Sequence, residues 1–160
     1  MIARIQKSLA EKDKGFTLIE LLVVIIIIGI LAAIAIPVFL NQRKKAVDSG
    51  IKSDLRSVAN EIESYYVDNQ DYPAASDVGT TGTGTGSILI ANAKGDDVTV
   101  TFSDSDTTIV YALGAGSGGQ QSFTLRGYND KGTAKDASNY FEYDSAAGGL
   151  KDGVQKATTP

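Results

Sequence analysis

The sequence predicts an α+β architecture, a long N-terminal helix packed on a small antiparallel β-sheet head, on three observations. From Phe16 to Phe39 runs an apolar stretch of 24 residues in which Glu20 is the only charge. Beyond Pro37, Val47, Ile51, Leu55, Val58, Ile62 and Tyr65 recur at spacings of three and four and so line one face of a helix. Past Pro73, short runs alternate apolar with polar residues between turns rich in Gly, Asp and Ser, the pattern of antiparallel strands with one face to bury.

At 1.5 Å per residue, Phe16–Phe39 spans about 36 Å, enough to cross a bilayer core of about 30 Å. Gly29 and Pro37 interrupt it. Proline removes a backbone donor and crowds the carbonyl of Ala33, and glycine weakens a helix by about 1 kcal/mol relative to alanine. In a membrane such a segment stays helical with a kink. The striped segment follows without a break, so one helix is expected from about Phe16 to Asp68, roughly 80 Å long. Arg43, Lys44, Asp48, Lys52, Asp54, Arg56, Glu61 and Glu63 fall mostly off the stripe. Asp68-Asn69-Gln70-Asp71-Tyr72-Pro73 ends the helix in turn-forming residues.

Strands are expected in SILIAN, DVTVTFS, TIVYALG, QSFTLRGY and NYFEYDS. Val98, Val100 and Phe102 share one face of their strand, as do Ile109, Tyr111 and Leu113, and Phe123 with Leu125. The sheet is expected to bury that face against the helical stripe. The low-complexity run GTTGTGTGS, Gly79 to Ser87, lacks the lysine and the strand-helix context of a phosphate-binding loop, so no nucleotide site is assigned. Asp96-Asp97 and Asp104/Asp106 match no calcium loop of known spacing and are taken as solvated turn residues. The seven tyrosines are assigned to core and sheet.

Composition narrows function. The 160 residues contain no Cys, His or Trp, which removes disulfides, thiolate metal sites, the usual neutral-pH base and the commonest zinc ligand. No cofactor or metal is expected, and no spacing offers a catalytic carboxylate pair for an enzyme. The net charge of −4 becomes about −6 once the basic first 14 residues are set aside, which argues against nucleic-acid binding.

Glu20 poses the sharper question, since an acidic residue within a spanning helix costs about 2.5–3.5 kcal/mol on insertion scales. A secretory signal cut at Ala33-Ile34-Ala35 explains neither this carboxylate nor an apolar run that continues to Phe39. A plain membrane anchor leaves Glu20 and the Gly15-Phe16 boundary without a role. Lys14-Gly15-Phe16-Thr17-Leu18-Ile19-Glu20, by contrast, resembles the processing site of type IV prepilins and pseudopilins. The DNQDYP turn and YFEYDSAAGGL also look like pieces of pilin heads that lack a terminal disulfide.

The resemblance implies a leader, residues 1–15, cut between Gly15 and Phe16 by a prepilin peptidase that then N-methylates Phe16. It implies a transmembrane or filament-core helix over 16–40, with loosening between Gly29 and Pro37, and a globular head over 41–160. It places the precursor in the bacterial cytoplasmic membrane with its N-terminus in the cytoplasm; basic residues flank the span on both sides, so charge counting does not decide orientation. The implied partners are other copies of the chain in a helical homopolymer, the peptidase/methyltransferase, a membrane assembly machinery, and lipid before assembly. Glu20 would attract the new Phe16 amine of a neighbouring subunit, or that of its own helix four residues back; both pairings stay open. The implied product is an extracellular surface filament for adhesion, motility or DNA uptake, with the major pseudopilin of a type II secretion-like system as the alternative. A DNA- or host-binding minor pilin gains no support from the acidic head.

Overall fold

The computed structural model describes residues 15–79, 86–92, 95–115 and 121–157. Most of the expected leader and most of GTTGTGTGS lie outside these residues. The chain divides into two compact units, Met1–Leu40 and Asn41–Pro160. A single helix, α1 (Leu18–Asn69, 52 residues), runs through the boundary with Pro37 inside it. It starts two residues later and ends one later than the pattern predicted, because Thr17 serves as its cap and the last turn continues to Asn69.

In the first unit, the large apolar side chains from Phe16 to Leu40 are exposed on the molecule, and the most apolar window of α1 has a mean hydropathy of 3.3. This length and composition suffice to cross a membrane.

In the second unit the stripe packs as its spacing requires. Ile51, Leu55, Val58 and Ile62 are fully buried, and Val47 and Tyr65 lie half-buried at its two ends. Each such burial is worth about 1.5–3 kcal/mol relative to exposure. Among the described residues eight strands form the rest of the head: β1 (Val78–Gly79), β2 (Ser87–Ile90), β3 (Val98–Thr101), β4 (Thr108–Ala115), β5 (Gln121–Tyr128), β6 (Asn139–Asp144), β7 (Gly149–Leu150) and β8 (Gln155–Lys156). They form two antiparallel sheets where one was expected, a three-stranded β1-β2-β3 and a five-stranded β4-β5-β6-β7 with β8 also paired to β6. In the larger sheet β4 and β5 pair along their full length, from Thr108 opposite Tyr128 to Ala115 opposite Gln121. Ile88, Ile90, Val100 and Phe102 come from the small-sheet region, and Ile109, Tyr111, Phe123, Leu125 and Phe141 from the large sheet, to meet the helical stripe.

The expected inward faces hold at Val100, Phe102, Ile109, Tyr111, Phe123 and Leu125 but not at Val98 or Leu113, which are 38% and 40% exposed. Both lie on strands at the edge of their sheets, β3 and β4, where no further strand among the described residues covers the outer side. Close approach of the large sheet to α1 depends on Gly127, where a Cβ would lie 2.8 Å from Ile51 Cγ2 and 3.2 Å from Leu55 Cγ.

Candidate functional site

The N-terminal segment is built around α1's first turn. Thr17 Oγ1 accepts a hydrogen bond from the Glu20 amide at 3.2 Å, and Glu20 Oε2 accepts from the Thr17 amide and hydroxyl, each at 3.4 Å. This is a reciprocal capping box, in which a Thr and a Glu three residues apart satisfy backbone donors that a helix start leaves unpaired. It also sets the carboxylate at the positive end of the helix. The Thr-x-x-Glu signature stands in the sequence, but the cost of a carboxylate in lipid does not point to it. The structure thus brings Glu20 to Thr17, adjacent to Phe16. Phe16 is 76% exposed, and Gly15 is exposed with no atom within 4 Å of where a Cβ would stand. Among the described residues nothing asks for glycine there. The same openness holds at Gly29.

Two aspartates of α1 in the second unit form contacts that the stripe did not foretell. Asp54 is 4% exposed and accepts hydrogen bonds from the Ser103 amide (3.1 Å) and hydroxyl (2.7 Å). Burial pushes its carboxyl above the usual range, the Ser103 bonds pull the other way, and nearby Asp104 adds to the rise. Asp48 accepts from the Thr133 amide at 2.8 Å and from the Thr133 hydroxyl. The turn passes so close that a Cβ at Gly132 would lie 2.6 Å from Asp48 Oδ1. A signal for Asp54 existed: it stands three residues after Ile51 and four before Val58, on the buried face.

The acidic turns are only partly solvated. Asp104 and Asp106 both pair with Lys131, and Asp104 also accepts from the Asp106 amide at 2.9 Å, the contact that does most to hold its carboxyl below the usual range. Asp97 accepts from the Asn92 amide at 2.9 Å. Among the described residues no group of three or more acidic side chains is placed to hold a metal ion. Glu142, buried in β6, pairs with Arg126 of β5 and with Lys151, which also reaches Asp144. Tyr111, Phe123 and Tyr143 pack as sheet aromatics, with Tyr111 donating to the Pro73 carbonyl at 2.7 Å.

Residues 12–36 match the family model described as the prokaryotic N-terminal methylation motif. The chain is 38% identical over 66 residues to the type II secretion system core protein G of Escherichia coli (strain K12), covering 41% of this chain and 46% of that protein. It is 51% identical over 59 residues to the type IV wide pilus major component PilA4 of Thermus thermophilus, covering 37% of this chain and 45% of that protein. With the core protein G of Pseudomonas aeruginosa it shares 38% over 64 residues, 40% of this chain and 45% of that one. The matches thus span less than half the length of these relatives. No solved structure gives a significant match.

Proposed function

We propose that this chain is a structural subunit of the type IV pilin and pseudopilin family, made as a membrane precursor, cut between Gly15 and Phe16, and polymerised through α1 into a surface filament. One observation carries the reading. A helix able to span a membrane exposes its large apolar side chains from Leu18 to Leu40, and at its start stand an exposed Gly-Phe pair and one carboxylate. An apolar surface of that extent requires lipid or copies of itself. A glycine that the fold does not require, at Gly15, suits recognition by an outside peptidase.

Cleavage would create an α-amine at Phe16, largely protonated near pH 7 and beside the Glu20 carboxylate. Paired there or across subunits, the two charges remove most of each other's cost in lipid and set register more than they add stability. The proposed partners are further copies of the chain, a prepilin peptidase/methyltransferase, and a membrane assembly machinery. The proposed route runs from the cytoplasmic membrane, N-terminus inside, to the cell surface. No chemistry of its own is proposed, since the chain is the substrate of an enzyme rather than one.

Intact mass of the exported protein tests the reading. The expected mass is that of a chain beginning at Phe16 plus one methyl group; a chain beginning at Ile36 overturns it in favour of a secretory signal. The similarity to the core G proteins of Escherichia coli and Pseudomonas aeruginosa keeps a second reading, the major pseudopilin of a secretion system. Imaging separates the two: long isolated surface fibres for the pilin, a short periplasmic assembly for the pseudopilin.

A further inference from the structure

Where α1 ends, the head holds a cleft of about 470 Å³ lined by Tyr66, Gln70, Asp71, Tyr72 and Gln121, all within the second unit. The chain leaves the helix through Gln70 at φ 59°, the left-handed conformation that helix ends ordinarily give to Gly or Asn. Gln70 and the following Asp71 both line the cleft. The Tyr66 and Tyr72 rings lie 4.6 Å apart with their planes tilted by 31°, and Tyr66 stays 38% exposed. Tyr72 is braced from behind, its hydroxyl bonded to Glu63 at 3.2 Å and its ring edge-on to Phe123 at 5.1 Å.

The polar groups are fixed and only half used. Gln121 Oε1 accepts from the Tyr72 amide at 3.3 Å, which leaves the donors of its Nε2. Gln70 Nε2 donates to the Val67 carbonyl at 3.0 Å, which leaves the acceptor Oε1. Asp71 and the Tyr66 hydroxyl make no hydrogen bond among the described residues. An exposed aromatic platform ringed by one amide donor, one amide acceptor, a carboxylate and a phenol matches one ligand chemistry closely. A pyranose presents a flat C–H face to an aromatic ring and equatorial hydroxyls, each both donor and acceptor, to its sides.

We propose that this cleft is a binding site for a neutral saccharide, with Tyr66 as the stacking platform and Gln70, Asp71 and Gln121 as hydroxyl partners. Asp71, with Glu63 behind Tyr72, disfavours acidic sugars. The two amides and the mutually packed rings favour a polyhydroxyl ligand over an organic cation, which needs an open aromatic cage. All five lining residues belong to the head of a single chain, so unpolymerised protein serves for the test.

The full chain, held in a polyoxyethylene detergent that carries neither sugar nor choline, is titrated separately with cellotriose, maltotriose, triacetylchitotriose and choline chloride while backbone amide shifts are followed. The expected result is saturable movement of the Gln70, Asp71, Tyr72 and Gln121 amides with at least one trisaccharide, with Kd on the order of 1 mM as suits a small open site. Tyr66→Ala should weaken that binding about tenfold, the share of one stacking ring. Gln121→Ala should weaken it too and provides a second readout should Tyr66→Ala lower the melting temperature. Absence of movement with all three sugars overturns the proposal, as does movement that both variants leave unchanged. Movement with choline but no sugar overturns it in favour of a cation site.

Discussion

Thr17 and Glu20 satisfy each other's backbone at the start of α1, so the carboxylate already has partners before any amine exists at Phe16. Removing the cap with Thr17→Ala should cost about 0.5–2 kcal/mol locally and speed hydrogen exchange at the Leu18–Glu20 amides in micelles. Unchanged exchange would mean that the box does not hold this turn. Asp54 offers a test with a defined sign. Its folded-state pKa is raised, so the native state binds more protons than the unfolded chain, and stability falls as pH rises from near the ordinary value of 3.8 through the raised one. Relative to Asp54→Asn, the natural protein should therefore gain melting temperature as pH falls through that window, measured by thermal denaturation across acid pH. Asp104 acts in the opposite sense: its lowered pKa gives stability that is present above the ordinary carboxylate value and lost as pH falls through the lowered one. Of these residues, Glu20 stood out as the lone charge of an apolar run, whereas Thr17 was missed although its Thr-x-x-Glu spacing is local. Ser103, the partner of Asp54, is 49 positions away, and no local pattern points to it.

At the scale of elements, the helical stripe was legible because a 3.6-residue period repeats over five turns, and the five longer strands because alternation needs only about four residues to show. The two-residue strands β1, β7 and β8 are too short to alternate and exist only because a longer neighbour offers them its edge. The division into two sheets was likewise hidden, since pairing partners are not written in a single strand. Leu55→Ala or Ile62→Ala should lower head stability by about 2–5 kcal/mol in denaturant melts, as cavities in a packed core do. Gly127→Ala should cost about 1–3 kcal/mol by overpacking, because its methyl group would press on Ile51 and Leu55. If all three melt like the natural protein, the sheet and the stripe are not in contact.

Assembly is a property of the whole molecule. Glu20→Ala should still lose its leader, since Gly15-Phe16 is unchanged, and should insert into the membrane more readily. Filaments should be lost or sharply reduced. Co-expression with the natural chain separates the two pairings of Glu20. Poisoning that rises with the mutant's share marks a pair between subunits; a defect confined to mutant copies marks a pair within one helix. Abundant normal filaments made wholly of Glu20→Ala protein would remove this carboxylate from assembly altogether. A helix long and apolar enough to cross a membrane was readable from the first 40 residues because length and composition are properties of a linear stretch of chain. The saccharide cleft was not, because Tyr66 and Gln121 stand 55 positions apart and meet only in the folded head.

The contacts of Asp48 with Thr133 and of Asp54 with Ser103 also have a mechanical meaning. The two carboxylates stand six residues apart on α1, about 9 Å along its axis. A pull on the helix along that axis loads both in shear and at the same moment, where a pull on a hairpin would open its bonds one after another. The packed side chains of Ile51, Leu55, Val58 and Ile62 already resist sliding, and the two pinned carboxylates add to that resistance at the same extension, so an axial load is shared between them.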